Sequence, residues 1–142
     1  MPFDAVFMSC LKKEIEAETA GLKIDKVNQP DRDTIVLNLR GKKLLISLNS
    51  SGGRVSVTGE TFENPQTPPM FCMLLRKYLT GGKIISLRQP PLERVYDFEI
   101  ETYDALGKLS RRHLIVELLG RYTNLILTDG DMIITDCVRR IG

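Results

Sequence analysis

Residues 63–77 read ENPQTPPMFCMLLRK, and this stretch decides the second half of the architecture. Pro68 and Pro69 suit the first turn of a helix, where the missing amide donors cost nothing. The residues after them are apolar around most of a helical circumference, and Gly81-Gly82 follows as a stop signal. The stretch therefore predicts a helix over 68–79 that is covered on more than one side. Its core residues are expected to be Met70, Phe71, Met73, Leu74 and Leu75.

A second helix is predicted at the start of the chain, over 3–20. Apolar residues such as Phe7 and Leu11 recur there at helical spacing, Asp4 is placed to cap the first turn, and Gly21 ends the pattern. From residue 22 onward the apolar period changes to two, which indicates strands. These strands are expected at 22–29, 34–40, 43–48 and 54–58.

Strands also follow the second helix. Alternation and β-branched residues predict them at 83–89, 94–102, 113–119, 125–128 and 132–137. Asp129-Gly130 is a strong short-hairpin signal. Because sequential hairpins pair antiparallel strands, the expected class is α+β: a mainly antiparallel β-sandwich flanked by two helices.

The bulk properties are those of a single globular domain. The chain has 142 residues, of which 42% are hydrophobic. Its 20 basic and 18 acidic residues almost cancel, which excludes an obvious polybasic binder but not a local basic face. No apolar run could span a bilayer and no secretory signal is present, so we expect a cytoplasmic protein without a membrane partner. The sequence stops directly after a predicted strand, so we expect an N-terminal piece of a longer protein.

Nothing in the sequence indicates catalysis. No nucleophile elbow, phosphate-binding loop or dinucleotide fingerprint is present. The single histidine, His113, is expected as a strand-end residue. Cys10, Cys72 and Cys137 are far apart in apolar contexts, which favours small buried hydrophobes over a disulfide or a metal site. We therefore expect no enzyme activity, no cofactor and no metal.

Five blocks of sequence carry a family resemblance. They are PFD at 2–4, LLIS at 44–47, the stretch 63–77 with its following glycines, LER at 92–94, and ELLGRYTNLIL at 117–127. Over nearly its whole length, the chain resembles the NFACT-N domain, which begins the ribosome-quality-control proteins RqcH of bacteria and NEMF of animals. Many bacterial members carry the older label fibronectin-binding protein.

The resemblance implies a fold and a function. The fold would be like the N-terminal β-sandwich of formamidopyrimidine-DNA glycosylases. The family binds a large ribosomal subunit that still holds peptidyl-tRNA, and it recruits charged tRNA for template-free tailing, mainly with alanine in bacteria. The implied partners are therefore tRNA and the large subunit.

The resemblance also implies site residues. Asp4 matches an acidic residue near the start, and Glu93-Arg94 matches an acidic–arginine pair, both associated with tail addition. The family pair is commonly Asp-Arg, and the extra methylene of Glu93 moves the charge. Arg94 is the strongest candidate, because a guanidinium can fork across two phosphate oxygens or stack on a base. From the residues alone, Asp4 as an N-cap and Glu93-Arg94 as an exposed pair at a strand start remain alternatives.

Residues 120–124 match a family segment that usually reads Gly-Arg-His-Ser-Asn. In this chain the Arg121 guanidinium can make two parallel hydrogen bonds to a phosphate. Tyr122 offers an aromatic ring for stacking, and Asn124 offers an amide or fixes a turn. Tyr122 and Thr123 replace the usual histidine and serine, so any role of that histidine is lost or changed. A plain turn held by Asn124 is the alternative.

A basic rim is a further candidate for phosphate contact. Its residues are Arg76, Lys77, Lys83 and Arg88. A solvated surface is the alternative.

Two rival functions also stay open. A DNA glycosylase would use an N-terminal proline followed by glutamate, whereas Pro2 is followed by Phe3. A fibronectin-binding adhesin would match the older label, but no export signal supports it.

Overall fold

The computed structural model describes residues 4–139 of the chain. The elements in chain order are α1 (Ala5–Thr19), β1 (Lys26–Asp31), β2 (Thr34–Leu39), β3 (Lys42–Ser47), β4 (Arg54–Thr58), α2 (Met70–Leu79), β5 (Lys83–Arg88), β6 (Val95–Tyr103), β7 (Leu109–Glu117), a short 3-10 helix (Gly120–Tyr122), β8 (Asn124–Asp129) and β9 (Ile134–Cys137).

The strands form two antiparallel sheets, each ordered as in the sequence. The first sheet is β1-β2-β3-β4 and the second is β5-β6-β7-β8-β9. Within each sheet, every strand pairs with the next one along the chain, as short connections favour. The expected α+β class, with two helices and antiparallel sheets, is confirmed. The likeness to formamidopyrimidine-DNA glycosylases stays a prediction.

Both sheets and both helices contribute to one hydrophobic core. β6 alternates strictly between buried and half-buried positions, which places Tyr96, Phe98 and Ile100 inside. Full burial of a large apolar side chain stabilises the fold by roughly 1.5–3 kcal/mol. Other core residues come from every layer: Met8, Ile15, Ile35, Leu37, Leu44, Ile46, Cys72, Leu75, Leu79, Leu114, Val116, Leu125 and Leu127.

The cap predicted for α1 is confirmed. The Asp4 Oδ1 atom accepts a hydrogen bond from the Phe7 backbone amide at 2.8 Å. The predicted start at residue 3 lies outside the described residues. This bond holds Asp4 at the N-terminus of α1. Asp4 lines the same depression as Val95, the first residue of β6.

The prediction that α2 is covered on more than one side is wrong for two of its residues. Met70 is 87% exposed and Met73 is 56% exposed. The helix buries Cys72, Leu75 and Leu79, which recur at helical spacing on one face. Met70 and Met73 lie on the opposite face, while Phe71 and Leu74 are half-buried. The methionines therefore belong to the surface, not to the core.

Two further predictions need correction. Cys72 is buried as expected, and this burial raises the pKa of its thiol. The expectation of a buried cysteine is wrong for Cys10, which is exposed on α1. His113 is not a strand-end residue, because β7 begins four residues earlier, at Leu109. The polar start of β7 pairs with the end of β6, which carries the strand beyond its apolar part.

Candidate nucleic-acid interface

Arg94 lies where two surface depressions meet, directly before β6. The larger depression has a volume of about 550 Å³ and is lined by Asp4, Ala5, Leu92, Glu93, Arg94, Val95, Glu117 and Leu119. The smaller one, of about 120 Å³, is lined by residues 50–53, Arg94, Leu118, Gly120 and Thr123. The structure thus brings Asp4, Glu93 and Arg94 together, and places Arg94 next to the 120–124 loop.

A tight turn positions the Glu93-Arg94 pair. The Glu93 amide donates to the Pro90 carbonyl at 3.1 Å, and Leu92 within this turn has a φ of 62°. A non-glycine residue in this left-handed region costs on the order of 1–3 kcal/mol, and such strain clusters at functional sites. Leu92 is also 90% exposed, so packing does not explain its presence. The strained turn motivates the hypothesis that this edge has a functional role.

The backbone of Arg94 is fixed while its side chain is exposed. Its carbonyl accepts a hydrogen bond from the Leu118 amide at 2.9 Å, which joins the start of β6 to the end of β7. Among residues 4–139, no carboxylate lies within ion-pair distance of its guanidinium. An exposed guanidinium without an ion-pair partner is suited to bidentate contacts with phosphate oxygens.

The larger depression also carries negative charge. Asp4 and Glu93 are exposed, and half-buried Glu117 lines the same space. Glu117 lies within the 117–127 block, but no pattern in the sequence singled it out. Carboxylate oxygens accept hydrogen bonds from hydroxyl and amino groups and repel phosphate. An anionic group would therefore be favoured on the Arg94 side, and the carboxylates would accept hydrogen bonds from hydroxyl or amino groups of a ligand.

The 120–124 loop places a cation against an aromatic ring. Gly120 has a φ of 61°, which glycine adopts without strain and which starts the short 3-10 helix. The Arg121 guanidinium lies 4.9 Å from the Tyr122 ring centre, and its Nη2 donates to the Tyr122 hydroxyl at 2.8 Å. Tyr122 is 65% exposed. The loop thus presents a charged and a stacking surface beside Arg94.

Asn124 performs the turn-fixing role that the sequence left as an alternative. Its Nδ2 donates to the Arg139 carbonyl at 2.9 Å, and its Oδ1 accepts from the Arg139 and Leu125 amides, each at 2.9 Å. Because both ends of the amide are occupied by backbone groups, Asn124 positions the loop.

The structure does not bring the four rim residues together. Arg76 turns inward, where its Nε donates to the Val27 carbonyl at 2.7 Å and its Nη2 to the Asn28 Oδ1 at 3.0 Å. Lys83 and Arg88 stand at opposite ends of β5, about 16 Å apart at the usual rise of a strand. Arg88 also lies 3.9 Å from a Glu99 carboxylate oxygen. Lys77 belongs to a separate pocket at the end of α2.

Within residues 4–139, no three side chains form a group that could hold a metal ion. In the same range, no helix is long and apolar enough to cross a membrane.

The described residues form an α+β fold of two antiparallel sheets and two helices, with Arg94 at one edge. The chain belongs to the family described as NFACT N-terminal and middle domains, which it matches over residues 4–142. The family resemblance drawn from the sequence is thereby confirmed.

Known relatives and solved structures agree with this assignment. The chain is 38% identical over 147 residues to the Rqc2 homolog RqcH of Bacillus subtilis, covering 100% of this chain and 26% of the relative. It is 28% identical over 138 residues to the ribosome quality control complex subunit NEMF of Mus musculus, covering 96% of this chain and 12% of that protein. The N-terminal structure of the fibronectin/fibrinogen-binding protein from Streptococcus suis superposes with a TM-score of 0.94 at 38% identity, covering 99% of this chain and 54% of that one. The chain spans about a quarter of the length of the RqcH relatives.

Proposed function

We propose that this chain is a tRNA- and large-ribosomal-subunit-binding module of a ribosome-quality-control factor. In this role it would act in the cytoplasm on stalled ribosomes and support template-free alanine tailing of nascent chains. It would act by binding and not as an enzyme. The names of its relatives support the general role. The observation that carries the proposal is the convergence of Asp4, Glu93 and Arg94 at one depression.

The chemistry of that edge fits RNA. Arg94 provides a fork for a backbone phosphate, and Arg121 with Tyr122 provides a cation and an exposed ring within the adjoining loop. Asp4, Glu93 and Glu117 provide acceptors for the 2′-hydroxyl or for exocyclic amines, the former being the group that distinguishes RNA from DNA. We assign Asn124 to positioning the loop, and we expect Arg76 to stabilise the fold.

Charge reversal tests the proposal. Arg94→Glu, alone and with Arg121→Glu, is compared with Arg40→Glu, which makes the same charge change in the exposed β2–β3 turn. Binding of tRNA is measured by fluorescence anisotropy at several salt concentrations. We expect the Arg94 variant to bind about 10-fold more weakly and the control to stay within about 2-fold, because only the first removes a phosphate contact. Equal binding by the double variant and the control would exclude this edge as the tRNA contact.

A fibronectin-binding role is the second candidate, because the superposing Streptococcus suis structure carries that name. Two results together would favour this role. The chain would bind immobilised fibronectin saturably and independently of Arg94→Glu, and surface protease treatment would remove the protein from intact cells. A glycosylase-like role in DNA binding would depend on Pro2, which lies outside the described residues. Excision of oxidised purines by the purified chain would support that role.

A further inference from the structure

A cationic pocket lies at the other end of the β6–β7 hairpin, away from Arg94. It has a volume of about 450 Å³, and its walls include Lys77, Tyr78, Tyr103 and Arg112. β6 runs from the Arg94 edge to this pocket, and its eight steps of about 3.3 Å separate the two by roughly 26 Å. We propose that this pocket is a second RNA contact, which takes a backbone phosphate and the base next to it.

The pocket holds a preoriented guanidinium. The central carbon of the Arg112 guanidinium lies 3.9 Å from the Tyr78 ring centre, and its Nη1 donates to the Thr135 hydroxyl at 3.0 Å. The Lys77 ammonium lies 5.2 Å from the same ring. A cation held by an aromatic face and a hydrogen bond loses little freedom when a ligand binds. The remaining donors of Arg112 are therefore placed for an anion.

These cations are not neutralised by the protein. Among residues 4–139, neither Lys77 nor Arg112 has a carboxylate within ion-pair distance. The adjacent Arg111 shows the opposite arrangement, since its guanidinium nitrogens lie 2.6 Å from Glu99 and 3.3 Å from Glu101. Alternation along β7 directs these neighbouring arginines to opposite faces of the sheet. The cations of the pocket are thus available for phosphate in a way that Arg111 is not.

Tyr103 supplies the feature that favours a nucleotide over a simple anion. Tyr103 lines the pocket and is 67% exposed, which leaves its ring accessible to an unstacked base. Asp104 is the acidic residue in the lining, and its Oδ1 accepts from the Leu106 and Lys108 amides, each at 2.9 Å. That carboxylate is therefore engaged in closing the hairpin turn.

The spacing of the two sites suits one RNA molecule. A distance of roughly 26 Å corresponds to on the order of eight steps along a nucleic-acid strand at 3.4 Å each. Two contacts on one ligand make the second binding event effectively intramolecular. The inference thus rests on the proposed RNA-binding function and adds a second point of contact to it.

The experiment compares Lys77→Gln/Arg112→Gln with Arg111→Gln, a matched arginine whose charge is already paired. Binding of the wild-type and variant chains to tRNA is measured by anisotropy across a salt series. We expect the double variant to bind about 10-fold more weakly and its slope of log affinity against log salt to fall by about 1–2, with the control within about 2-fold. Equal affinity and equal slope in the two variants would overturn the inference.

Tyr103→Ala guards against a folding artefact, because this exposed ring lies outside the hydrophobic core formed by the described residues. We expect it to weaken tRNA binding by about 5-fold while leaving the thermal unfolding temperature unchanged. Cross-linking of tRNA that carries 4-thiouridine should label Tyr103, and absence of that label would count against the pocket. If Arg94→Glu weakened tRNA binding and Lys77→Gln/Arg112→Gln did not, the second contact would be overturned and the proposed function would stand. Absence of tRNA binding by the wild-type chain would overturn both.

Discussion

Tyr96 shows how one buried polar group joins two elements. Its side chain is fully buried, and its hydroxyl donates to the Met8 carbonyl of α1 at 2.5 Å. Burial raises the pKa of Tyr96 to about 12, from an ordinary value of 10. The folded protein therefore keeps the phenol proton at pH values where the unfolded chain has lost it.

This difference predicts an alkaline loss of stability. Below pH 10 the phenol is protonated in both states, and as pH rises from 10 towards 12 ionisation favours the unfolded state by up to about 2–3 kcal/mol. Urea unfolding between pH 9 and 12 should show this loss in the wild-type chain but not in Tyr96→Phe. The phenylalanine variant should start about 1 kcal/mol less stable, because the Met8 carbonyl loses a donor. Tyr103→Phe is the control, and a gap between wild type and Tyr96→Phe that stays constant with pH would refute the argument.

Asn124 allows a second prediction at this scale. Asn124→Ala should lower the free energy of unfolding by about 2 kcal/mol, because it removes three hydrogen bonds to half-buried backbone groups. Asn64→Ala, at an exposed position, should change it by less than about 0.5 kcal/mol. Chemical denaturation of both variants decides the matter. Equal stability would mean that the loop does not depend on the Asn124 amide.

The site could be predicted only in part from the residues. The family resemblance singled out Asp4, Glu93 and Arg94. Asp4 lies about ninety positions before the other two, and the three meet only because the fold brings the start of α1 next to the start of β6. Local sequence carries no information on that approach. For the same reason, neither Glu117 nor the 50–53 loop could be assigned to the edge before the fold was known.

At the scale of elements, a carboxylate of α1 forms a hydrogen bond with the backbone of an edge strand. The Glu16 Oε2 accepts from the backbone amide of Leu87 on β5 at 2.8 Å, and Lys12 lies 3.3 Å from its other oxygen. The Leu87 hydrogen bond, assisted by Lys12, lowers the pKa of Glu16. An edge-strand amide that would otherwise be open to another chain is thereby satisfied.

The lowered pKa predicts an acid-dependent contribution to stability. This contribution is fully present above the unfolded-state pKa of 4.5 and is lost as pH falls through the lower folded-state value. Glu16→Gln should therefore be roughly 1–2 kcal/mol less stable than wild type at pH 7, and the difference should shrink as the pH approaches 3. Thermal or urea unfolding across this range measures it. Glu14→Gln, on the exposed face of α1, should show no such trend, and a difference for Glu16→Gln that persists at low pH would contradict the mechanism.

Periodicity predicted the elements well where burial is one-sided. The alternation in β6 and the capped start of α1 are strong local signals, and both elements formed as expected. The errors arose where local pattern does not determine burial. Met70 and Met73 are apolar, but a short helix against a sheet covers only one face. The polar start of β7 gave no strand signal, because its pairing is imposed by the hairpin with β6.

At the scale of the whole molecule, Arg139 links the two sheets. Its Nη2 donates to the Asp33 carboxylate at 3.0 Å and to the Leu48 carbonyl at 2.8 Å, both next to strands of the first sheet. Its Nη1 donates to the Thr123 carbonyl, directly before β8 of the second sheet. The side chain is two-thirds buried. The link lies behind the 120–124 loop, so it also supports the candidate RNA-binding edge.

This geometry predicts unequal costs for the two partners of the Arg139–Asp33 pair. Arg139→Gln should lower the free energy of unfolding by about 2–3 kcal/mol, because two backbone carbonyls lose a charged donor together with the carboxylate. Asp33→Asn should cost less than about 1 kcal/mol, since an amide oxygen still accepts and the carbonyl contacts remain. Arg111→Gln, whose ion pairs lie on the outer face of one sheet, is the control and should also cost less than about 1 kcal/mol. Urea unfolding followed by two probes, one for each sheet, should give coincident transitions in every variant, because the shared core still couples the sheets. An Arg139 variant as stable as the Arg111 control would show that the core alone joins the sheets, and that the guanidinium contributes nothing to their attachment.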